Sequence, residues 1–218
     1  MLSTVPLGWH HAPVPDVLSV TLSSHTFECP RGRITEIIGP RSSGRTSLLH
    51  SILAASTGRG EFCAIVDASG AFDPCSASAA GVELGKLTWI RCGGNVEHAM
   101  RAADLMIHSG GFGVVALDVA EASESALGRI PATAWFRFRH AVESTPTVLA
   151  VLAARPLAKT CSALLVEAKR RRALFTGKYP FELLRGIEYE LAPRKPVGRE
   201  SSPWTAWSAQ GAEPVVRG

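Results

Sequence analysis

No stretch of this sequence is long and apolar enough to cross a bilayer as a helix. The longest apolar run, residues 148–154, falls far short of the roughly 20 residues such a span needs. Residues 1–25 hold neither a basic n-region nor a continuous apolar h-region, so no secretory signal is expected. Cysteine is scarce: Cys29, Cys63, Cys75, Cys92 and Cys161 form an odd set with no C-x-x-C pair. That pattern argues against a cysteine zinc site or a disulfide framework and for free thiols in a reducing cytoplasm. Internal repeats are also absent. Charged residues make up 19% of the chain against 46% apolar, the balance of a soluble globular protein. A single domain with a full core and some trimming is the expectation for 218 residues.

The charge that is present falls unevenly. Residues 1–128 carry 8 basic and 12 acidic side chains, whereas residues 129–199 carry 14 basic and 5 acidic. The second stretch is a candidate surface for nucleic acid or an acidic partner. A solvated face in an Arg-rich composition is the plainer alternative, since 18 of the 23 basic residues are Arg.

Apolar runs and helical stripes alternate along the chain. Residues 1–28, with Pro6, Pro13 and Pro15, read as an extended lead-in that adds an edge strand. Buried strands are expected at 34–38, 62–66, 112–117 and 147–153, the second closing on Asp67 and the third on Asp118. Between them, residues 95–109 place Val96, Ala99, Met100, Ala103, Met106 and Ile107 on one helical stripe, and residues 132–142 place Trp135, Phe138 and Val142 on another. Residues 162–169 read as a short helix leading into the basic run Lys169, Arg170, Arg171 and Arg172. Residues 173–175 and 186–191 read as final strands. From 192 onward the composition turns to Pro, Arg, Ser and Gly, the signature of a disordered tail, with Trp204 and Trp207 as candidate partner anchors. The alternation predicts an α/β domain, a mostly parallel sheet with helices on both faces. Its expected bounds are 29–192, between the lead-in of 1–28 and the tail of 193–218.

Residues 32–53 read GRITEIIGPRSSGRTSLLHSIL, an apolar strand, a Gly-bounded loop and an apolar-periodic helix. That is the setting in which backbone N–H groups and a helix N-terminus cradle phosphate. The loop fits the phosphate-loop pattern G-x-x-x-x-G-K-[ST] at every fixed position but one, because Arg45 stands where Lys is required. Guanidinium is larger and planar and cannot replace the compact ammonium atom for atom. Candidate nucleotide ligands are Gly39, Ser42, Ser43, Gly44, Arg45, Thr46 and Ser47, with Thr46 and Asp118 as candidate Mg2+ ligands and ATP as the candidate nucleotide. A Ser/Gly-rich turn that binds nothing is the alternative. For contact with DNA or a partner the candidates are Arg137, Arg139, Arg155, Lys159 and Lys169 to Arg172. The interleaving of Trp135 and Phe138 with Arg137 and Arg139 suits base stacking less well than a core stripe with basic flanks.

The stretches GRITEIIGPRSSGRTSLL, CAIVDASGAFDP and VVALDVA together resemble the RecA recombinase core in wording and order. The shortened architecture, with RIPATAWFRFRHAVESTPTVLAVL and FELLRGIEYELAPRK, resembles the ImuA group of RecA-related, cell-division-inhibitor-like proteins. The resemblance implies a RecA-like phosphate-loop fold. It also implies a role in SOS-type repair and mutagenic translesion synthesis beside an error-prone polymerase and an inactive polymerase homologue. RecA itself and single-stranded DNA are further implied partners, in the cytoplasm. Against the RecA pattern, Ser69 stands at the glutamate that activates water. Asp67 is a candidate substitute base, one side-chain alternation away. Ala153 and Ala154 stand at the polar pair that couples nucleotide to DNA, and both DNA loops are shortened, to 120–128 and 155–160. A serine hydroxyl cannot act as a base near neutral pH, so assistance worth about 10²–10⁴-fold is expected to be lost. The expected function is therefore an adaptor with a degenerate ATP site. An active DNA-dependent ATPase or recombinase is the alternative, and an unrelated small phosphate-loop kinase is a distant third.

Overall fold

In a computed structural model, residues 16–22, 25–177, 180–196 and 202–208 are described, the last group by backbone alone. Five apolar strands form the centre: β3 (Arg33–Ile38), β4 (Phe62–Asp67), β5 (Leu87–Arg91), β6 (Phe112–Asp118) and β7 (Val148–Ala153). With β8 (Ser162–Thr176) they run parallel in the order β8-β3-β7-β6-β4-β5. Strands buried on both faces need near-continuous apolar sequence, and β7, VLAVLA, is buried at every position. Two antiparallel strands, β9 (Leu183–Lys195) and β10 (Ser202–Ser208), extend the sheet beyond β8.

Side chains alternate along each strand and so build two cores. On one face Ile37, Ile65, Val114, Ala116, Ala150 and Leu152 pack under α1 (Arg45–Thr57). On the other, Ile34, Val66, Val115, Leu117, Leu149 and Val151 pack under α3 (Val96–Ser109) and α5 (Ala132–Glu143). Two short helices, α2 (Pro74–Ala79) and α4 (Glu124–Gly128), lie in the loops. The α3 stripe is as the periodicity predicts, with Val96, Ala99, Met100, Ala103 and Ile107 buried and Asn95 capping the His98 N–H. The α1 helix is buried almost all round, because strands β1 (Val17–Leu22) and β2 (His25–Pro30) pair into a hairpin whose Leu18, Val20 and Leu22 join the same core.

Three expectations are corrected. The described part of the lead-in forms a separate two-stranded sheet and does not add an edge strand; residues 1–15 lie outside the described part. Residues 162–169 are strand, not helix. Their Ala, Leu, Glu and Lys favour helix locally, yet pairing with β3 on one side and β9 on the other wins, and burial alternates with period two. Residues 193–195 and 202–208 belong to β9 and β10, so these parts of the expected tail sit in the sheet. The side chains of Trp204 and Trp207, like residues 197–201 and 209–218, lie outside the described part. Among the described residues no helix is long and apolar enough to cross a membrane.

Phe138 is fully buried and meets Trp135 edge-on at 5.9 Å, whereas Phe136 is 55% exposed. Phe138→Ala should cost about 3–5 kcal/mol in urea unfolding, and Phe136→Ala about 0.5 kcal/mol or less.

Candidate nucleotide site

The loop between β3 and α1 has the backbone of a phosphate cradle. Ser42 and Gly44 adopt left-handed conformations, φ 59° and 94°, and Gly44 opens α1 with no side-chain cap on the helix. The first-turn N–H groups of Arg45, Thr46 and Ser47 are therefore left for a ligand or water. The loop lines a cavity of about 180 Å3 that also takes in Arg41, Glu121 and Tyr189.

The side chains are arranged differently from what the motif predicts. Arg45 is 6% exposed. Its Nη1 donates to the Ala153 carbonyl at 3.0 Å and its Nη2 to Glu121 Oε1 at 3.1 Å. Arg41 Nε donates to the other oxygen, Glu121 Oε2, at 2.6 Å. One carboxylate thus receives both loop arginines. Over the same loop lies Tyr189 of β9: a Cβ on Gly44 would stand 2.7 Å from its ring, and its side chain hydrogen-bonds Ser47. A Cβ on Gly39 would collide with the Ala168 carbonyl of β8. Thr46 is exposed at the start of α1, and Ser43 Oγ is buried without a partner.

Asp67 and Asp118 stand side by side at the carboxyl ends of β4 and β6. Asp67 is fully buried and accepts five N–H groups: Ser69, Gly70 and Ala71 on Oδ1, and Phe72 and the Trp89 indole on Oδ2, at 2.7–3.3 Å. Phe72 is wedged edge-on between His50 and Trp89, so the loop that carries exposed Ser69 is fixed at both ends. Burial also pushes the His50 imidazole below its ordinary pKa. Asp118 has less support, one N–H from Ala120 at 3.0 Å. Burial first, then the charge of Asp67, lifts its carboxyl to about 6.

The fit to ATP and Mg2+ divides accordingly. The backbone suits a phosphate group. The cations do not, because Arg41 and Arg45 already face Glu121, with Asp118 and Asp67 close behind. Among the described residues no group of three His, Cys, Asp or Glu side chains could hold a metal ion, which leaves the pair Thr46 and Asp118. No catalytic step through a bound nucleotide follows from this arrangement.

The basic candidates lie on separate elements. Arg137 and Arg139 sit on the outer face of α5, Arg137 bound to Asp104 of α3 at 2.9 Å and Arg139 4.0 Å from Glu143. Arg155 pairs with Glu124 at 2.8 Å and so joins the two shortened loops. Exposed Lys159 has φ 49°, and the residues just before it are pinned where Leu157 and Ala158 donate to buried Glu36 at 2.7 and 2.8 Å. Lys169 to Arg172 lie along β8. Sequence reasoning missed Glu121 and Tyr189. Glu121 follows Asp118 by three residues, in the 120–128 loop that reads in sequence only as a shortened DNA loop. Tyr189 was visible only as one member of an alternating strand.

A family model described as the RecA N-terminal domain matches residues 17–127, just over half of the chain. Protein RecA of Deinococcus radiodurans is 41% identical over 101 residues, covering 46% of this chain and 28% of that protein. Protein RecA of Rickettsia prowazekii is 42% identical over 89 residues, covering 41% of this chain and 26% of that protein. The chain therefore spans little more than a quarter of the length of these curated relatives.

Asp118 binds its proton more tightly folded, near 6, than at its ordinary 3.8. Its contribution is thus fully present below about pH 4, shrinks as pH rises to about 6, and stays lost above. Asp118→Asn should stabilise the chain at pH 7 by on the order of 2–3 kcal/mol and leave it unchanged at pH 4, measured by denaturant unfolding at both values.

Proposed function

The chain belongs to the RecA family, and we propose that it serves there as an accessory protein whose nucleotide loop has become a structural joint. The observation behind this reading is the buried Arg45 guanidinium, held by the Ala153 carbonyl and Glu121. A triphosphate entering the loop would bring negative charge beside Glu121 and Asp118, where the buried cation among the described residues, Arg45, is already held by Glu121 and the Ala153 carbonyl. It would also have to displace the Tyr189 ring from Gly44. The hydroxyl of Ser69 supplies no base, and Asp67 is occupied in holding the 69–72 loop. Asp67 is accordingly a positioning residue in this reading. Any ATP and Mg2+ bound through Thr46 and Asp118 would be bound weakly and not turned over.

The role itself is adaptor work in SOS-type repair and error-prone translesion synthesis in the cytoplasm. The partners are an error-prone polymerase, an inactive polymerase homologue, RecA and single-stranded DNA. What supports this is the resemblance of residues 129–152 and 181–195 to the ImuA group, together with the excess of basic residues in 129–199. The active DNA-dependent ATPase reading requires Arg45 to leave its internal acceptors.

Purified protein should show no ATP turnover above background, with or without single-stranded DNA, and Ser69→Glu alone should not create it. DNA-stimulated turnover that Asp118→Ala abolishes would overturn the adaptor reading. Arg45→Lys combined with Tyr189→Ala should raise affinity for a fluorescent ATP analogue at least tenfold, read by anisotropy.

A further inference from the structure

The antiparallel ribbon of β8 and β9 outruns the sheet it belongs to. Strand β3 pairs with β8 only from Ser162 to Glu167, and from Ala168 to Thr176 the described partner of β8 is β9 alone. Nine residues of strand extend about 30 Å at 3.3 Å per residue. Core packing does not call for this length, because nearly every β8 residue beyond Ala168 is exposed. At the far end Phe175 is 59% exposed, Phe181 82% and Leu183 70%, with Phe175 directly opposite Leu184 in the register.

The stem below this tip is cationic. Between Ala168 and Tyr189 the described residues carry five cations and two carboxylates. One of the two, Glu188, is taken up by Arg172 through paired bonds of 2.8 and 3.0 Å. Lys169 and Arg171 reach acids only at 3.5 and 3.8 Å and stay about half exposed. Exposed rings alone would suit a protein partner. Exposed rings at the end of an arginine-rich stem suit a polyanion that also offers flat faces, and that is single-stranded nucleic acid.

We propose that the β8–β9 ribbon is a single-strand contact in which Lys169, Arg170 and Arg171 meet phosphates while Phe175 and Phe181 stack on bases. The proposal rests on the DNA-partner reading above and assigns that contact to one element, apart from α5 and the 155–160 loop. Both rings are exposed, so their removal should leave the fold intact, which thermal unfolding checks.

The test is anisotropy of a labelled oligo-dT with the full chain at several salt concentrations. Phe175→Ala with Phe181→Ala should weaken binding by roughly tenfold per ring with the salt slope unchanged. Arg170→Ala with Arg171→Ala should instead reduce that slope by about 1.4. If the natural chain binds oligo-dT and neither variant differs from it, the ribbon assignment fails while the DNA reading stands. If the natural chain does not bind oligo-dT at all, both fail. Vesicles containing phosphatidylserine form a further arm. Ring-dependent binding to them, with oligo-dT binding unaffected by the ring changes, would assign the tip to a membrane surface and overturn the proposal.

Discussion

A guanidinium buried at the carboxyl edge of a parallel sheet has to find its acceptors inside the protein, and this requirement shapes the region where strand, loop and helix meet. Arg45 finds them in the last residue of β7 and in the loop after β6. One side chain at the start of α1 therefore ties three segments together. A buried charge stripped of its partner is worth several kcal/mol of destabilisation, so neither Ala153 nor Glu121 is free to move without the other. Glu121 extends the same constraint to Arg41 on the far side of the loop. The glycine-bounded turn is then fixed by charge from within and by the ribbon from above.

The two strand-end aspartates show how much the surroundings decide. They occupy equivalent places on neighbouring parallel strands, yet one collects five N–H donors and the other one. Asp67 has been given a solvation shell made of protein. Asp118 has been left in an apolar setting beside a like charge, and it accommodates by holding its proton more tightly. A cation near Asp118 would lower that pKa, and Arg45, whose charge acts in this sense, is already committed elsewhere.

What could be read in advance was local. Strands β3, β4, β6 and β7 are apolar on both faces, and such runs announce a covered parallel sheet before any partner is known. The α3 stripe follows from periodicity. The stretch 162–169 misled because its composition is helical and its strand character comes from neighbours distant in sequence on either side. Glu121 and Tyr189 escaped for the same reason: each matters only because of a loop about 76 or 145 residues earlier. The motif showed where the loop is. It did not show that its charge is neutralised from within.

Gly44 has two reasons to be glycine in this fold. Its φ of 94° disfavours any side chain, and the Tyr189 ring stands where a Cβ would be. Neither reason involves phosphate. Gly39 is held in the same way, against the Ala168 carbonyl of the neighbouring strand. Both glycines of the nucleotide-loop pattern are thus required by the protein's own packing. Position 45, where the pattern has Lys and this chain has Arg, is the one whose side chain is tied inward, to the Ala153 carbonyl and Glu121.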